Sequence, residues 1–294
     1  GTSHYMASTR KGFLLRRLQP IKPSRNLLVR VPAQKGPTVR VVLLAHIDSA
    51  FTGLMFDHRL LRNLGPRLIP TRLNPLNRSL MIACYSQFLL AGIDAGRMVL
   101  GPLAWPLLPL EALLAVPQWV TFLLNLEVVL RNEIVPGAND DLSGVAALAL
   151  LARRLVPKKP EDVEIVFAVT GAEEASMGGA QALARDHLDT WDRGRTVIIG
   201  LDGIASGRLR GVEEGEVKVM PVAGWLEETL EEIAGSDPRF DGVSRFRIPM
   251  GATDVLPFLS MGWDGVSLGC GDDDWGAPRH YHQPTDTPEN VDPG

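Results

Sequence analysis

A chain of 294 residues with 45% hydrophobic and 22% charged residues has room for one large α/β domain or two small ones. Its formal net charge of −4 argues against a nucleic-acid groove, which would need a concentrated basic face, and no zinc-finger or RNA-binding signature is present, so no nucleic-acid partner is expected. Two cysteines, Cys84 and Cys270, are too few for a disulfide scaffold; one bridge or two buried thiols remain, and the second is the simpler reading.

In chain order, residues 1–8 (GTSHYMAS) read as a tag remnant, which leaves 9–294 as a single domain. No signal peptide opens the chain, and ENVDPG ends it without a closing element, so the expectation is a piece trimmed from a longer protein. Strands are predicted at 26–31 (NLLVRV), 40–45 (RVVLLA), 163–169 (VEIVFAV), 196–201 (TVIIGL), 217–222 (VKVMPV) and 264–269 (DGVSLG). Several of these runs are continuously apolar, as strands covered on both faces should be. Helices are predicted at 142–156, 178–188, 224–235 and 255–261; Leu148, Leu151 and Leu155 fall at helical spacing, with Arg153 and Arg154 between them. The order predicts an α/β three-layer sandwich with a mixed, mostly parallel sheet.

A helical insertion at about 52–132 interrupts that pattern. Residues 79–130 carry only Asp94, Arg97, Glu111 and Glu127 as charges, and ALLAVPQWVTFLLNLEVVL (112–130) approaches the ~20 residues that cross a bilayer. Pro102, Pro106 and Pro109 break the run into a hairpin. Two readings stand open: a membrane hairpin, or a pair of core or lid helices. Arg59, Arg62, Arg67, Arg72 and Arg78 precede it and Arg131 follows. A spanning hairpin would therefore leave the rest of the chain in the cytoplasm, membrane-associated, and the other reading makes the chain soluble and cytoplasmic.

The acidic and histidine motifs follow predicted strands: His46 and Asp48 after RVVLLA, Glu173 and Glu174 after VEIVFAVTGA, Asp202 after TVIIGL, and His282 after DGVSLG and a polar loop. Asp140 stands in GANDDLSG, just before a helix. Ligands in open α/β sheets collect beyond the carboxyl ends of strands, so these segments can aim at one crevice. Mixed imidazole and carboxylate donors suit zinc, or manganese or cobalt. A close pair of dications needs a bridging carboxylate between them and a base for the water they share. Neighbouring side chains on an extended segment point different ways, which lets Glu174 bind metal while Glu173 faces water. Asp48 is placed to orient the His46 imidazole. Singly these are weak signals: Asp140 and Asp141 also suit a helix cap, and a Glu pair is commonly solvated. Asp202 at the end of a buried strand needs a partner. His280 competes with His282, His58 and His187 read as surface histidines, and Asp272, Asp273 and Asp274 read as a solvated loop.

Six motifs in order carry a resemblance: AHIDS (45–49), PGANDDLSGVAAL (136–148), TGAEEASMGGA (170–180), IIGLDG (198–203), GATDVLPFLSMG (251–262) and YHQPTDTPENVD (281–292). Together they resemble the co-catalytic di-zinc peptidases, metallopeptidase family twenty-eight, which includes bacterial leucyl aminopeptidases. The resemblance implies two zinc ions, with His46 and Asp202 on one, Glu174 and His282 on the other, and Asp140 between them. It implies Glu173 as general base, Asp48 in support of His46, Asp254 beside the site, and a peptide substrate with a free N-terminus. The insertion between Asp48 and Asp140 departs from the family pattern. Alternatives are a single-zinc relative that cyclises N-terminal glutamine, and a non-catalytic membrane-associated descendant.

Overall fold

The computed structural model describes residues 5–6, 22–36, 38–57, 59, 79–215, 217–237, 248, 251–272 and 278–292. The apolar runs become β1 (Leu27–Val31), β2 (Val39–His46), β3 (Val163–Thr170) and β4 (Thr196–Leu201); β5 (Arg208–Val212) and β6 (Asp264–Gly271) complete one sheet in the order β1-β3-β2-β4-β6-β5. The inner neighbours β3, β2, β4 and β6 run parallel, while the edges β1 and β5 pair antiparallel. The sheet is therefore mixed and mostly parallel, as predicted.

Alternation along β2 divides the core. Val42 and Leu44 join Val166, Ala168 and Ile198 on one face, under α4 (Gly178–Asp186) and α6 (Leu256–Ser260). Leu43 and Ala45 point the other way, with Ile165, Phe167 and Leu201, against Leu148 of α3 (Ser143–Leu155). Leu226 of α5 (Gly224–Ser236) covers Val197 and Val266. Each fully buried aliphatic side chain contributes roughly 1.5–3 kcal/mol, so covering both faces is what makes three layers stable. Between the strands, the buried Glu164 carboxylate accepts from Arg30 Nε at 2.8 Å and Arg40 Nε at 2.5 Å, lacing β1, β3 and β2 together.

One predicted strand is corrected. Residues 217–222 are bend and loop, and the edge strand is Arg208–Val212 instead. Pro221 lacks the N–H that a ladder position needs. Val217 and Val222 are apolar because they are buried, Val222 against Val197 and Leu226.

The chain leaves the sheet domain at Phe51 and returns at Ile134, where the two form an isolated bridge. Thr52 N donates to Glu133 O and Val135 N to Ala50 O, both at 3.0 Å, so the feet of the insertion are stapled. Within it, α1 (Ser79–Leu100) and α2 (Leu108–Arg131) form an antiparallel hairpin joined by a 3-10 turn at Gly101–Leu107. His58, Arg62, Arg67, Arg72, Arg78 and residues 1–4 and 7–8 lie outside the described residues. Cys84 and Cys270 are both free and buried, which answers the disulfide question.

Candidate metal centre

The carboxyl end of the sheet gathers the motif residues into one crevice. β2 ends on His46, whose buried imidazole sets Nε2 3.0 Å from Asp140 Oδ1. Asp140 lies in the irregular turn Ala138–Leu142 that opens α3. That turn begins at Gly137, whose φ of 71° favours glycine, and a Cβ there would meet Asp140 O and Ser49 Oγ at 2.8 Å. Asp140's other oxygen faces His282 Nε2 at 3.4 Å, and His282 Nε2 lies 3.5 Å from Glu174 Oε2.

Among the described residues three groups bring donor atoms within 4.8 Å of one another: His46, Asp140 and Asp202; Asp140, Glu174 and His282; and His46, Glu173 and Glu174. Asp140 is shared by the first two. Glu174 Oε1 and His282 Nδ1 are buried with no hydrogen-bond partner among the described residues. His280 turns away, its Nδ1 against Thr285 Oγ1 at 2.8 Å. His187 stacks on Trp191 with centroids 4.0 Å apart, and Asp272 accepts from Arg279 Nε at 2.7 Å, so neither joins the crevice. Asp273 and Asp274 lie outside the described residues. Asp254 is buried behind the site, its carboxylate against the Thr170 hydroxyl at the end of β3.

Asp48 serves two segments. Its carboxylate accepts from Glu173 N at 2.9 Å and Glu174 N at 3.1 Å, fixing the backbone of the adjacent glutamates. The His46 imidazole also meets Asp48, through the main-chain carbonyl 3.0 Å from Nδ1, with the carboxylate 3.8 Å away.

Two further acids hold the backbone of the site: Asp141, which the sequence offered only as a helix cap, and Asp286, which it did not single out. Asp141 accepts from His46 N, Gly144 N and Gly203 N at 3.1, 3.1 and 3.0 Å, tying the ends of β2 and β4 to the start of α3. A Cβ at position 144 would stand 2.5 Å from that carboxylate, so the tie requires Gly144. Asp286 accepts from Asn139 N at 2.8 Å and Asp140 N at 3.1 Å, holding the turn that presents Asp140. The only sequence signal for it was its place inside YHQPTDTPENVD.

The electrostatics follow from crowding acids in a dry place. Burial, then the charge of Asp140, pushes both Asp202 and Glu174 up to about 7. Burial and the charges of Glu174, Asp254 and Asp202 drive Glu173 well above the carboxylate range. Burial opposes ionisation of Asp140 as well, but hydrogen bonds and charge from His282 and His46 outweigh it and hold this acid low. Both imidazoles are raised, because the surrounding carboxylates overcome the burial that would lower them. The crevice holds more buried carboxyl groups than its two imidazoles can pair.

A sequence model described as Peptidase family M28 matches residues 126–294. Aminopeptidase YwaD of Bacillus subtilis is 28% identical over 165 residues, which covers 53% of this chain and 34% of that protein. Thus the chain spans about a third of that curated relative's length. Among solved structures, LapB from Legionella pneumophila aligns with a TM-score of 0.52 at 14% identity, over 91% of this chain and 50% of LapB. A glutaminyl cyclase from Porphyromonas gingivalis aligns with a TM-score of 0.53 at 16% identity, over 92% of this chain and 72% of that one. At such identities the structural likeness is one of fold. His46 and Asp48 precede the matched segment, and β2 is what brings them to it.

Proposed function

The chain belongs to peptidase family M28, and from that premise we propose that it is a two-zinc aminopeptidase acting on peptides with a free N-terminus. The posture of Asp140 carries this reading: one carboxylate oxygen addresses His46 and the other addresses His282. A carboxylate turned both ways between two imidazoles suits a bridge between two cations. The donor chemistry fits zinc, since each group pairs an imidazole with carboxylates. A buried Glu174 oxygen without a partner and a surplus of buried acid both favour a dication there.

In this reading His46 and Asp202 would hold one ion, Glu174 and His282 the second, and Asp140 both. Two zinc ions so held supply Lewis acidity, polarising the scissile carbonyl and making a water acidic near neutral pH. Glu173 is the general base: its carboxylate takes the proton from the attacking water and returns it to the leaving amine. Asp48 keeps Glu173 and Glu174 in register by holding their backbone N–H groups. Phe56, whose ring centroid lies 4.3 Å from that of His282, closes one side of the crevice with Tyr281 and limits water there.

The test is a screen of aminoacyl-arylamides and dipeptides with and without chelator, beside a zinc count on the purified protein. Two zinc ions per chain are expected, with turnover lost on chelation and restored by zinc. Chelator-insensitive turnover overturns the reading. One zinc per chain, with pyroglutamate forming from N-terminal glutamine, would put the cyclase chemistry in its place.

A further inference from the structure

We propose that the hairpin of α1 and α2 inserts into an anionic lipid bilayer and holds the crevice at the membrane surface. Among the described residues the helical segment from Leu80 to Arg131 is long and apolar enough to cross a membrane. No residue of α2 is buried. Its exposed apolar side chains, from Leu113 through Trp119 and Leu123 to Leu130, cover an arc of about 200° at 100° per residue. A docking protein covers one face of a helix, and a second copy would leave much of this arc in water. Lipid covers all of it.

Several polar groups in the hairpin are turned onto one another, which lowers the cost of placing them in a membrane. Gln118 Nε2 reaches Ala83 O at 2.9 Å, Gln87 Nε2 reaches Gln118 Oε1 at 2.8 Å, and Arg97 pairs with Glu111 at 2.6 Å. The helices have 22 and 24 residues, about 33 and 36 Å at ~1.5 Å per residue, against a hydrocarbon core of ~30 Å. At the tip, residues 98–110 carry no charge, with Met98 88% and Trp105 72% exposed. Pro102, Pro106 and Pro109 bring no N–H to that turn. In the sequence the flanks of the uncharged tip are rich in arginine: Arg59, Arg62, Arg67, Arg72 and Arg78 precede the hairpin, and Arg131, paired with Glu127, ends it. That asymmetry matches an anionic headgroup layer at the root.

The root is also where the crevice lies. Glu127 Oε2, one turn before the end of α2, accepts from Leu54 N at 2.7 Å, and two residues on, Phe56 packs on His282. Insertion would therefore leave the crevice facing the headgroups. Resting on the peptidase reading, this makes the substrates N-terminal segments of polypeptides that lie on the bilayer or emerge from it.

The test uses the full chain with vesicles of phosphatidylcholine and phosphatidylglycerol, followed by flotation in high salt. The chain should float with the vesicles and be released by detergent. The double variant Leu103→Glu/Trp105→Glu should lose vesicle binding by about tenfold or more, since each adds a charge to the inserted tip. Its turnover of a soluble arylamide should be unchanged, while turnover of a peptide tethered to vesicle lipid by its C-terminus falls in step with binding. A chain that stays soluble without detergent beside vesicles, or forms a dimer instead of floating, overturns the proposal. Flotation without any arylamide turnover supports the anchor and overturns the peptidase reading alone.

Discussion

The tasks of the carboxylates in this crevice separate by what each oxygen touches. Asp140 presents both oxygens to imidazoles, while Asp48, Asp141 and Asp286 spend theirs on N–H groups of other segments. Glu173 has no assigned ligand role, so Glu173→Gln keeps the shape and removes the base. That variant should retain its zinc count while kcat falls by about 10²–10⁴-fold; an undiminished kcat would remove Glu173 from the reaction. Asp286→Ala strands Asn139 N and Asp140 N, each costing about 1–3 kcal/mol if left buried and unpaired. Zinc affinity should then fall by roughly 10–100-fold, as for other losses behind a ligand, and a metal-buffered titration reads it. Among the candidate ligands, His46, Glu174 and Asp202 were legible because they follow apolar runs at strand ends, whereas Asp140 was read from GANDDLSG before a helix and His282 from a polar loop. Asp286 was not legible, because holding the backbone of a distant segment leaves no local pattern, and of Asp141 only the bond to Gly144 N, three residues on, answers to the cap reading. Asp48 was half legible: its neighbourhood to His46 was evident, and its bond to the glutamate amides, 125 positions away, was not.

At the scale of elements, the inner strands announced themselves as unbroken apolar runs because both faces are covered. β5 did not: with one partner only, it tolerates Arg208 and Arg210, and the more apolar 217–222 was mistaken for it. Its apolar valines fill a gap beside α5 without joining the ladder. The same sheet hides a polar tie that no hydrophobic pattern reveals, the Glu164 carboxylate between Arg30 and Arg40. Glu164→Ala would leave the mostly buried Arg40 without its carboxylate, although exposed Arg30 can return to water. The expected loss is about 2–3 kcal/mol, below the full cost of breaking a wholly buried pair. A lowered urea midpoint with an unchanged slope would show it, whereas a midpoint equal to the parent's would make the tie ornamental.

For the whole molecule, the decisive quantity is the charge trapped at the crevice. In the metal-free chain Asp202 and Glu174 ionise near 7, against about 4 when unfolded. Between those values the folded chain binds more protons than the unfolded one, so stability falls as pH rises through the window. His46 and His282, raised by the same carboxylates, lose their contribution in the same direction as they deprotonate. Asp140 acts with the opposite sign, but its lowered value confines it to acid below the window. In chelator, the melting temperature should therefore drop by on the order of 5 °C between about pH 5 and pH 8. Zinc needs the carboxylates ionised and the imidazoles neutral, so its stabilisation should grow over that range and cancel or reverse the fall. A chelated protein whose melting temperature stays flat or climbs with pH would mean that these acids are not packed together in the folded chain.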